Sequence, residues 1–84
     1  MSWEVITPPV VQKRIDRIPQ SERGRILAAI GKLEDGLVGD IRPMKGSNKW
    51  RLRVGGWRIV MSVNWRERVI NIVLVDTRGD VYKH

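Results

Sequence analysis

The chain has 84 residues, no cysteine and a formal net charge of +7, from 16 Lys and Arg residues against nine Asp and Glu residues. This length predicts one domain over residues 1–84, and the lack of cysteine excludes a disulfide framework and a thiolate metal site. No apolar run approaches the roughly 20 residues that span a bilayer and the first residues lack a signal-peptide pattern, so we expect a cytoplasmic protein that does not contact a membrane.

The first half of the chain predicts one strand and two helices. Residues 3–7 are rich in β-forming side chains, and Pro8-Pro9 ends that strand. Apolar residues then recur at helical spacing in two groups separated by Pro19: Val11, Ile15 and Ile18, followed by Ile26, Ile30, Leu33 and Leu37. Gly36 is placed to end the second helix.

The second half of the chain predicts a loop followed by three strands. Residues 40–48 contain proline, glycine and serine and are interpreted as the loop. Two alternating runs follow around Gly55-Gly56, and the near-continuous apolar run at residues 69–75 is typical of a central strand. Residues 81–82 are candidates for a brief further pairing. The order β-α-α-β-β-β predicts an α+β fold, with a twisted antiparallel sheet and two helices packed on one face.

The two runs that flank Gly55-Gly56 are the strongest structural signal in the sequence, because a two-residue loop of this kind predicts a β-hairpin. Such a loop sets the cross-strand pairs: Val54 with Trp57, Arg53 with Arg58, and Leu52 with Ile59. Side chains of a strand alternate between the two faces of the sheet. The hairpin therefore places Arg51, Arg53 and Arg58 on one face.

These arginines predict an anion-binding surface. Like charges that face each other destabilise a sheet, so a chain that keeps them together is expected to bind a polyanion there, and nucleic acid is the favoured one. The charge distribution agrees, because residues 1–41 carry six basic and six acidic side chains whereas residues 42–84 carry ten and three. A basic surface that only aids solubility is the alternative interpretation.

Other kinds of site find little support in the sequence. His84 is the only histidine, so a zinc-type cluster is excluded, and no Gly-rich phosphate loop is present; we expect neither a metal nor a cofactor. Arginine grips phosphate through a planar fork and stabilises the charge of a phosphoryl transition state, but it is a poor general base. His84 is the side chain best suited to titrate near neutral pH, and Tyr82 is suited to stacking on a base.

The chain resembles the RelE/ParE superfamily of bacterial toxins from toxin–antitoxin pairs. The resemblance covers nearly the whole chain and is carried by the element order, by Lys45-Gly46, by the run at residues 50–60 and by the ending Arg78-Gly79-Asp80-Val81-Tyr82. RelE-type members are ribosome-dependent endoribonucleases, in which the 2′-hydroxyl of mRNA attacks the adjacent phosphate and leaves a cyclic phosphate and a 5′-hydroxyl. The resemblance thus implies the ribosome, mRNA and a cognate acidic antitoxin as partners.

The resemblance, together with the cationic residues and the single histidine found above, indicates which residues act. The predicted catalytic residues are Arg51, Arg53, Arg58, Arg78, Tyr82 and His84. The predicted RNA-binding residues are Lys45, Lys49 and Lys83. Within this set Arg58 matches the transition-state arginine of the family. Because the arginines do not titrate usefully, proton transfer is left to Lys49, Tyr82 or His84. A ParE-like inhibitor of DNA gyrase without a nuclease site, or an inactive interaction domain, are the alternatives.

Overall fold

The computed structural model describes residues 2–77. Its elements are β1 (Glu4–Ile6), α1 (Pro9–Asp16), α2 (Gln20–Lys32), a 3₁₀ turn (Leu33–Asp35), β2 (Ile41–Pro43), β3 (Lys49–Val54), β4 (Trp57–Asn64) and β5 (Val69–Thr77). The strands form one five-stranded sheet in the spatial order β1-β5-β4-β3-β2. The further pairing predicted at residues 81–82 lies outside the described residues.

The predicted α+β class, with both helices packed on one face of the sheet, is confirmed, while two features of the sheet differ from the prediction. The sheet is mixed and not purely antiparallel, because β1 runs parallel to β5. Since two helices and three strands separate β1 from β5 in the chain, no hairpin sets their relative direction. In addition, β2 lies inside the predicted loop. At three residues it is too short for an alternation signal, and its Pro43 is tolerated because β2 is an edge strand.

One apolar core joins the helices to the sheet. Its buried members on the helical side are Val11, Ile15, Ile18, Ile26, Ile30 and Leu33. Its buried members on the sheet are Leu52, Trp57, Ile59, Met61, Ile70, Ile72 and Val75. The helical residues follow the predicted spacing, so the apolar stripe of each helix explains which face of the helix is buried. In the described part of the chain, neither α-helix has the length and apolar composition of a membrane span.

Trp57 ties the hairpin to both helices. Trp57 is 9% exposed, and its indole Nε1 donates a hydrogen bond to the Glu22 carboxylate of α2. On α1, the guanidinium carbon of Arg14 lies 5.3 Å from the centroid of the Trp57 ring, a cation–π distance. The same Arg14 donates from Nε to the Val75 carbonyl oxygen at 3.2 Å. These contacts hold β4 and β5 against the helical layer at the end of the sheet that carries the hairpin loop.

Strand β5 is irregular on its path through the sheet. Val60 pairs with Leu74 but the next residue, Met61, pairs with Ile72, so Val73 is an extra residue and forms a β-bulge. After the bulge, each side chain of β5 lies on the face opposite to the one that plain alternation predicts. On the other side of β5, β1 pairs only as far as Asn71. Beyond that point the edge of β5 faces α1 and has no strand neighbour among residues 2–77.

Candidate nucleic-acid interface

The face of the sheet that lies opposite the helices carries the arginines predicted from the hairpin. The observed register pairs Arg53 with Arg58, Leu52 with Ile59 and Val54 with Trp57, as the loop predicts. The turn residue Gly55 has φ +60°, while Gly56 is not in the left-handed region, which is the pattern of a type II′ turn. This turn suits the twist of the strands, and so it sets the register that brings the cationic side chains together.

Strand β2 adds a fourth arginine to this face. Arg42 of β2 is the cross-strand partner of Arg51, just as Arg53 is the partner of Arg58. Directly opposed residues have Cβ atoms about 4.5–5.5 Å apart, so the face presents two facing pairs of arginines. Lys49 has the same parity as Arg51 on β3 and lies on the same face. We call these five residues the cationic face.

The arginine stems pack as a layer over the sheet. Val60, whose cross-strand partners are Arg51 and Leu74, is only 5% exposed although it does not belong to the core cluster. Long side chains around it must therefore cover it, as expected when arginines lay their alkyl stems on apolar surface. The Nε atoms of Arg51, Arg53 and Arg58 are buried and have no hydrogen-bond partner among the described residues. Buried donors without partners are rare, and each calls for an explanation, such as an ion or ligand that binds there.

Two carboxylates lie within the cationic face. Asp76 Oδ2 is 3.4 Å from Arg58 Nη2, and Asp40 is 3.8 Å from Arg53 and 3.7 Å from Arg42, measured between carboxylate oxygen and guanidinium nitrogen. These carboxylates relieve part of the mutual repulsion among Arg42, Arg53 and Arg58. With five cationic side chains and two carboxylates, however, the face keeps an excess of three positive charges. Among residues 2–77, no carboxylate pairs with Arg51.

Sequence reasoning missed Asp76 because the apolar run that predicts this strand ends at Val75, whereas β5 extends to Thr77. The bulge also hides which face Asp76 lies on. Plain alternation from the inward Ile70 and Ile72 would place Asp76 on the helix-covered face. The extra residue Val73 reverses the parity, so that Val75 is buried and Asp76 lies opposite Arg58. Bulges often re-aim a side chain in this way. Pattern analysis has no means to detect the inserted residue, although the antiparallel pairing of β4 and β5 would have suggested a search for a partner of Arg58.

The structure brings only some of the predicted site residues together. Lys45 lies in the exposed turn between β2 and β3, at the end of the sheet away from Gly55. Four further predicted residues, Arg78, Tyr82, Lys83 and His84, lie outside the described residues. Asp40 and Arg42, which the sequence offered only as loop positions, lie at the cationic face.

The chemistry available to the cationic face follows from its side chains. Guanidinium groups bind phosphate oxygens through forked hydrogen bonds and stabilise additional negative charge on phosphorus. They do not exchange protons at neutral pH. In the described part of the chain, Lys49 and the two carboxylates are the groups on or beside this face that are able to transfer a proton. The arrangement is thus suited to gripping a phosphodiester more than to acid–base catalysis alone.

No family model matches the chain, and the search of curated proteins found no match. Solved structures do match. RelE in the archaeal RelE-RelB complex from Pyrococcus horikoshii is 29% identical, with a TM-score of 0.83 over 95% of this chain and 99% of that chain. The RelB-RelE antitoxin-toxin complex from Methanococcus jannaschii matches at 28% identity and a TM-score of 0.73, over 92% of this chain and 94% of that chain.

A third structure, the RelBE2 toxin-antitoxin complex from Mycobacterium tuberculosis, shares the fold at 15% identity. Its TM-score is 0.80, over 93% of this chain and 100% of that chain. The chain is therefore RelE-like, and the resemblance to the RelE/ParE superfamily inferred from its sequence is confirmed.

Proposed function

We propose that this chain is the toxin of a toxin–antitoxin pair and that it cleaves mRNA held by the ribosome. The RelE-like fold and the RelE-RelB complexes among its structural neighbours support the first part. The second part rests chiefly on one observation: Arg53 and Arg58 face each other beside Arg51 on the helix-free face of the sheet, with buried Nε donors that have no partner within residues 2–77.

In this proposal, Arg53 and Arg58 hold the scissile phosphate between them. The 2′-oxygen forms a bond to phosphorus while the bond from phosphorus to the 5′-oxygen breaks, which yields a 2′,3′-cyclic phosphate and a 5′-hydroxyl. The 2′-hydroxyl loses its proton and the departing 5′-oxygen gains one. Preorganised donors aimed at the developing charge are worth most in such a step. Arg51 and Arg42 position the flanking phosphates.

In this proposal the site has few groups that are able to transfer protons. Cleavage requires the ribosome for that reason. Lys49 lies on the cationic face, while Tyr82 and His84, the other candidates, lie outside the described residues. Arginines alone supply electrostatic stabilisation and positioning. Catalysis then depends on a substrate already distorted toward in-line attack, and mRNA fixed in the decoding site is such a substrate. This reaction would place the protein in the cytoplasm.

The antitoxin in this proposal is an acidic segment. A chain with a net charge of +7 and an exposed cationic face is complementary to a partner rich in Asp and Glu. A segment of this kind folds on binding, because ordering it is offset by the new charge-assisted contacts. An adjacent reading frame that encodes an acidic C-terminal half is the partner to test first.

The test is cleavage of mRNA on purified ribosomes, with mapped 5′ ends, by the wild-type chain and by Arg58→Ala. We expect defined cuts for the wild type and a rate about 10²–10³-fold lower for the variant, as for the loss of one oxyanion donor. Arg17→Ala, which removes the same charge from the exposed end of α1, is the matched control and should cleave normally. Thermal unfolding of each variant checks that it is folded.

Three results would contradict the proposal. Normal cleavage by Arg58→Ala removes the assigned role of the arginines. Growth arrest with loss of DNA supercoiling and no new mRNA ends identifies a gyrase inhibitor. An absence of toxicity when the chain is expressed without a partner identifies an interaction domain.

A further inference from the structure

Three tryptophans meet at the end of the sheet away from the hairpin loop. Trp65, in the turn between β4 and β5, contacts Trp3 edge-to-face, with ring centroids 5.6 Å apart and ring planes at 85°. It also contacts Trp50 of β3 at 6.0 Å and 71°. Such edge-to-face pairs are favourable beyond their buried area. Trp65 is therefore held by two neighbouring rings.

Despite these contacts, Trp65 is 56% exposed, whereas the hairpin tryptophan Trp57 is 9% exposed. An indole with more than half of its surface in water gains little from the core. The protein nevertheless keeps it at the tip of a turn. The proposed nuclease site does not use it, since that site lies on the arginines of the cationic face.

The turn that carries Trp65 is built to keep its shape. The Asn64 side-chain oxygen accepts a hydrogen bond from the Glu67 backbone N–H at 3.0 Å. Arg68 has φ +58°, and its carbonyl oxygen accepts from the Glu4 backbone N–H at 2.9 Å. A residue other than glycine in the left-handed region is held there only by its surroundings. The ring is thus presented on a turn tied to both β4 and β1.

Basic and acidic side chains both lie near the exposed ring. Arg66 and Arg68 lie in the same turn and are both exposed. The turn between β2 and β3, which carries Lys45, is at the same end of the sheet because Lys49 pairs with Ser62 near the end of β4. Four acidic residues are also present at this end: Glu4, Glu67, Glu34 and Asp35. The last two lie near Trp3, because the Trp3 backbone N–H donates a hydrogen bond to the Glu34 carbonyl oxygen. The charge here is mixed, so phosphate contacts alone would give weak binding.

We propose that Trp65 is a stacking platform for an unpaired base of single-stranded RNA, with Arg66 and Arg68 contacting the adjacent phosphates. Proteins that bind single strands combine aromatic rings with cations in this way. Trp65 lies seven positions after Arg58 in the chain, which at about 3.3 Å per position is ~23 Å. The platform is therefore a second RNA contact, distinct from the scissile phosphate. This inference rests on the proposed function, because it takes RNA to be the polyanion that the protein binds.

The test measures binding of a labelled single-stranded RNA oligonucleotide to the folded chain without ribosomes. Trp65→Leu should weaken binding by about tenfold or more, as stacking on one base predicts. The affinity of Trp65→Phe should lie between those of the wild type and Trp65→Leu. The same oligonucleotide with abasic positions should bind the wild type and Trp65→Leu equally. RNA with its bases should quench the fluorescence of the wild type more than that of Trp65→Leu.

Equal affinity of the wild type and Trp65→Leu for RNA with bases would overturn the proposal. The proposal would also be overturned if Trp65→Leu lost as much affinity for the abasic RNA as for RNA with bases, because Trp65 would then have a structural role. Thermal unfolding identifies a variant that fails to fold, and Trp65→Phe, which keeps an aromatic ring against Trp3 and Trp50, then carries the test. Because binding is measured without ribosomes, failure here leaves mRNA cleavage unaffected, and failure of cleavage leaves this result standing.

Discussion

Arg58 and Asp76 are direct cross-strand partners on β4 and β5, and their closest charged atoms, Arg58 Nη2 and Asp76 Oδ2, are 3.4 Å apart. Asp76 therefore occupies one side of the guanidinium that we assign to the scissile phosphate. Its other oxygen accepts a hydrogen bond from the Thr77 backbone N–H at 2.7 Å, which fixes the carboxylate in place. A phosphate that binds Arg58 must come close to this fixed negative charge.

Asp76→Asn should increase the affinity for single-stranded RNA, because it removes the negative charge beside Arg58 and keeps the shape of the side chain. The gain should reach at most about fivefold, since a partly exposed ion pair is worth about 1 kcal/mol or less. The free energy of unfolding should fall by a similarly small amount. Equilibrium RNA binding and urea unfolding measure the two effects.

Asp16→Asn is the control for this experiment, because it makes the same charge change on the exposed surface of α1, where Asp16 accepts a hydrogen bond from Gln12. RNA binding to Asp16→Asn should match the wild type. Weaker binding by Asp76→Asn would show that the carboxylate helps to orient Arg58 toward RNA and does not compete with it.

Arg51→Gln should reduce the salt dependence of RNA binding. A single-strand phosphate contact contributes about −0.7 to the slope of log K against log salt concentration, and Arg51 has no carboxylate partner among residues 2–77. The slope should therefore become shallower by about 0.7. Arg17→Gln, on the helical side, should leave the slope unchanged. Equal slopes for Arg51→Gln and the wild type would place the RNA elsewhere.

Gly55→Ala should destabilise the fold, whereas Gly56→Ala should not. Gly55 has φ +60°, and a left-handed backbone costs an alanine about 1–2 kcal/mol. A Cβ at Gly55 would also lie 2.8 Å from Arg25 Nη2, a flexible group that is able to move. No atom lies within 4 Å of a Cβ at Gly56. Chemical unfolding of the two variants measures the difference, and equal stabilities would contradict the turn assignment.

Glu22→Ala should destabilise the fold by about 1–3 kcal/mol, because it leaves the Trp57 indole N–H, which donates to Glu22, without its acceptor in a buried position. Glu22→Gln should cost less, since the amide oxygen is still able to accept that hydrogen bond. Thermal or urea unfolding of both variants measures this. Equal losses of stability in Glu22→Ala and Glu22→Gln would show that Glu22 contributes through its charge and not as a hydrogen-bond acceptor.

The parts of the fold that local patterns determine were predictable from the sequence. The helical stripes and the hairpin register depend on residues close in the chain, and both are as predicted. The parallel pairing of β1 with β5 depends on residues more than sixty positions apart, such as Glu4 and Val69, and no local signal encodes it. The short strand β2 was likewise missed, because three residues carry too little pattern.

The same distinction holds for the candidate site. Alternation around Gly55-Gly56 was enough to place three arginines on one face. The acidic members were not predictable, because Asp76 depends on the bulge at Val73 and Asp40 on the path of the chain into β2. The roles assigned to Arg78, Tyr82, Lys83 and His84 remain predictions from the superfamily resemblance.

The edge of β5 beyond Asn71, which has no strand neighbour among residues 2–77, also bears on how copies of this protein behave toward one another. An unpaired strand edge is a template for a strand from another molecule. Here the Val75 carbonyl already accepts from Arg14, and the bulge at Val73 breaks the regular spacing of the edge. A positively charged side chain and a bulge are both known means of discouraging such joining. These two features thus discourage aggregation through strand pairing at the part of β5 that β1 does not cover.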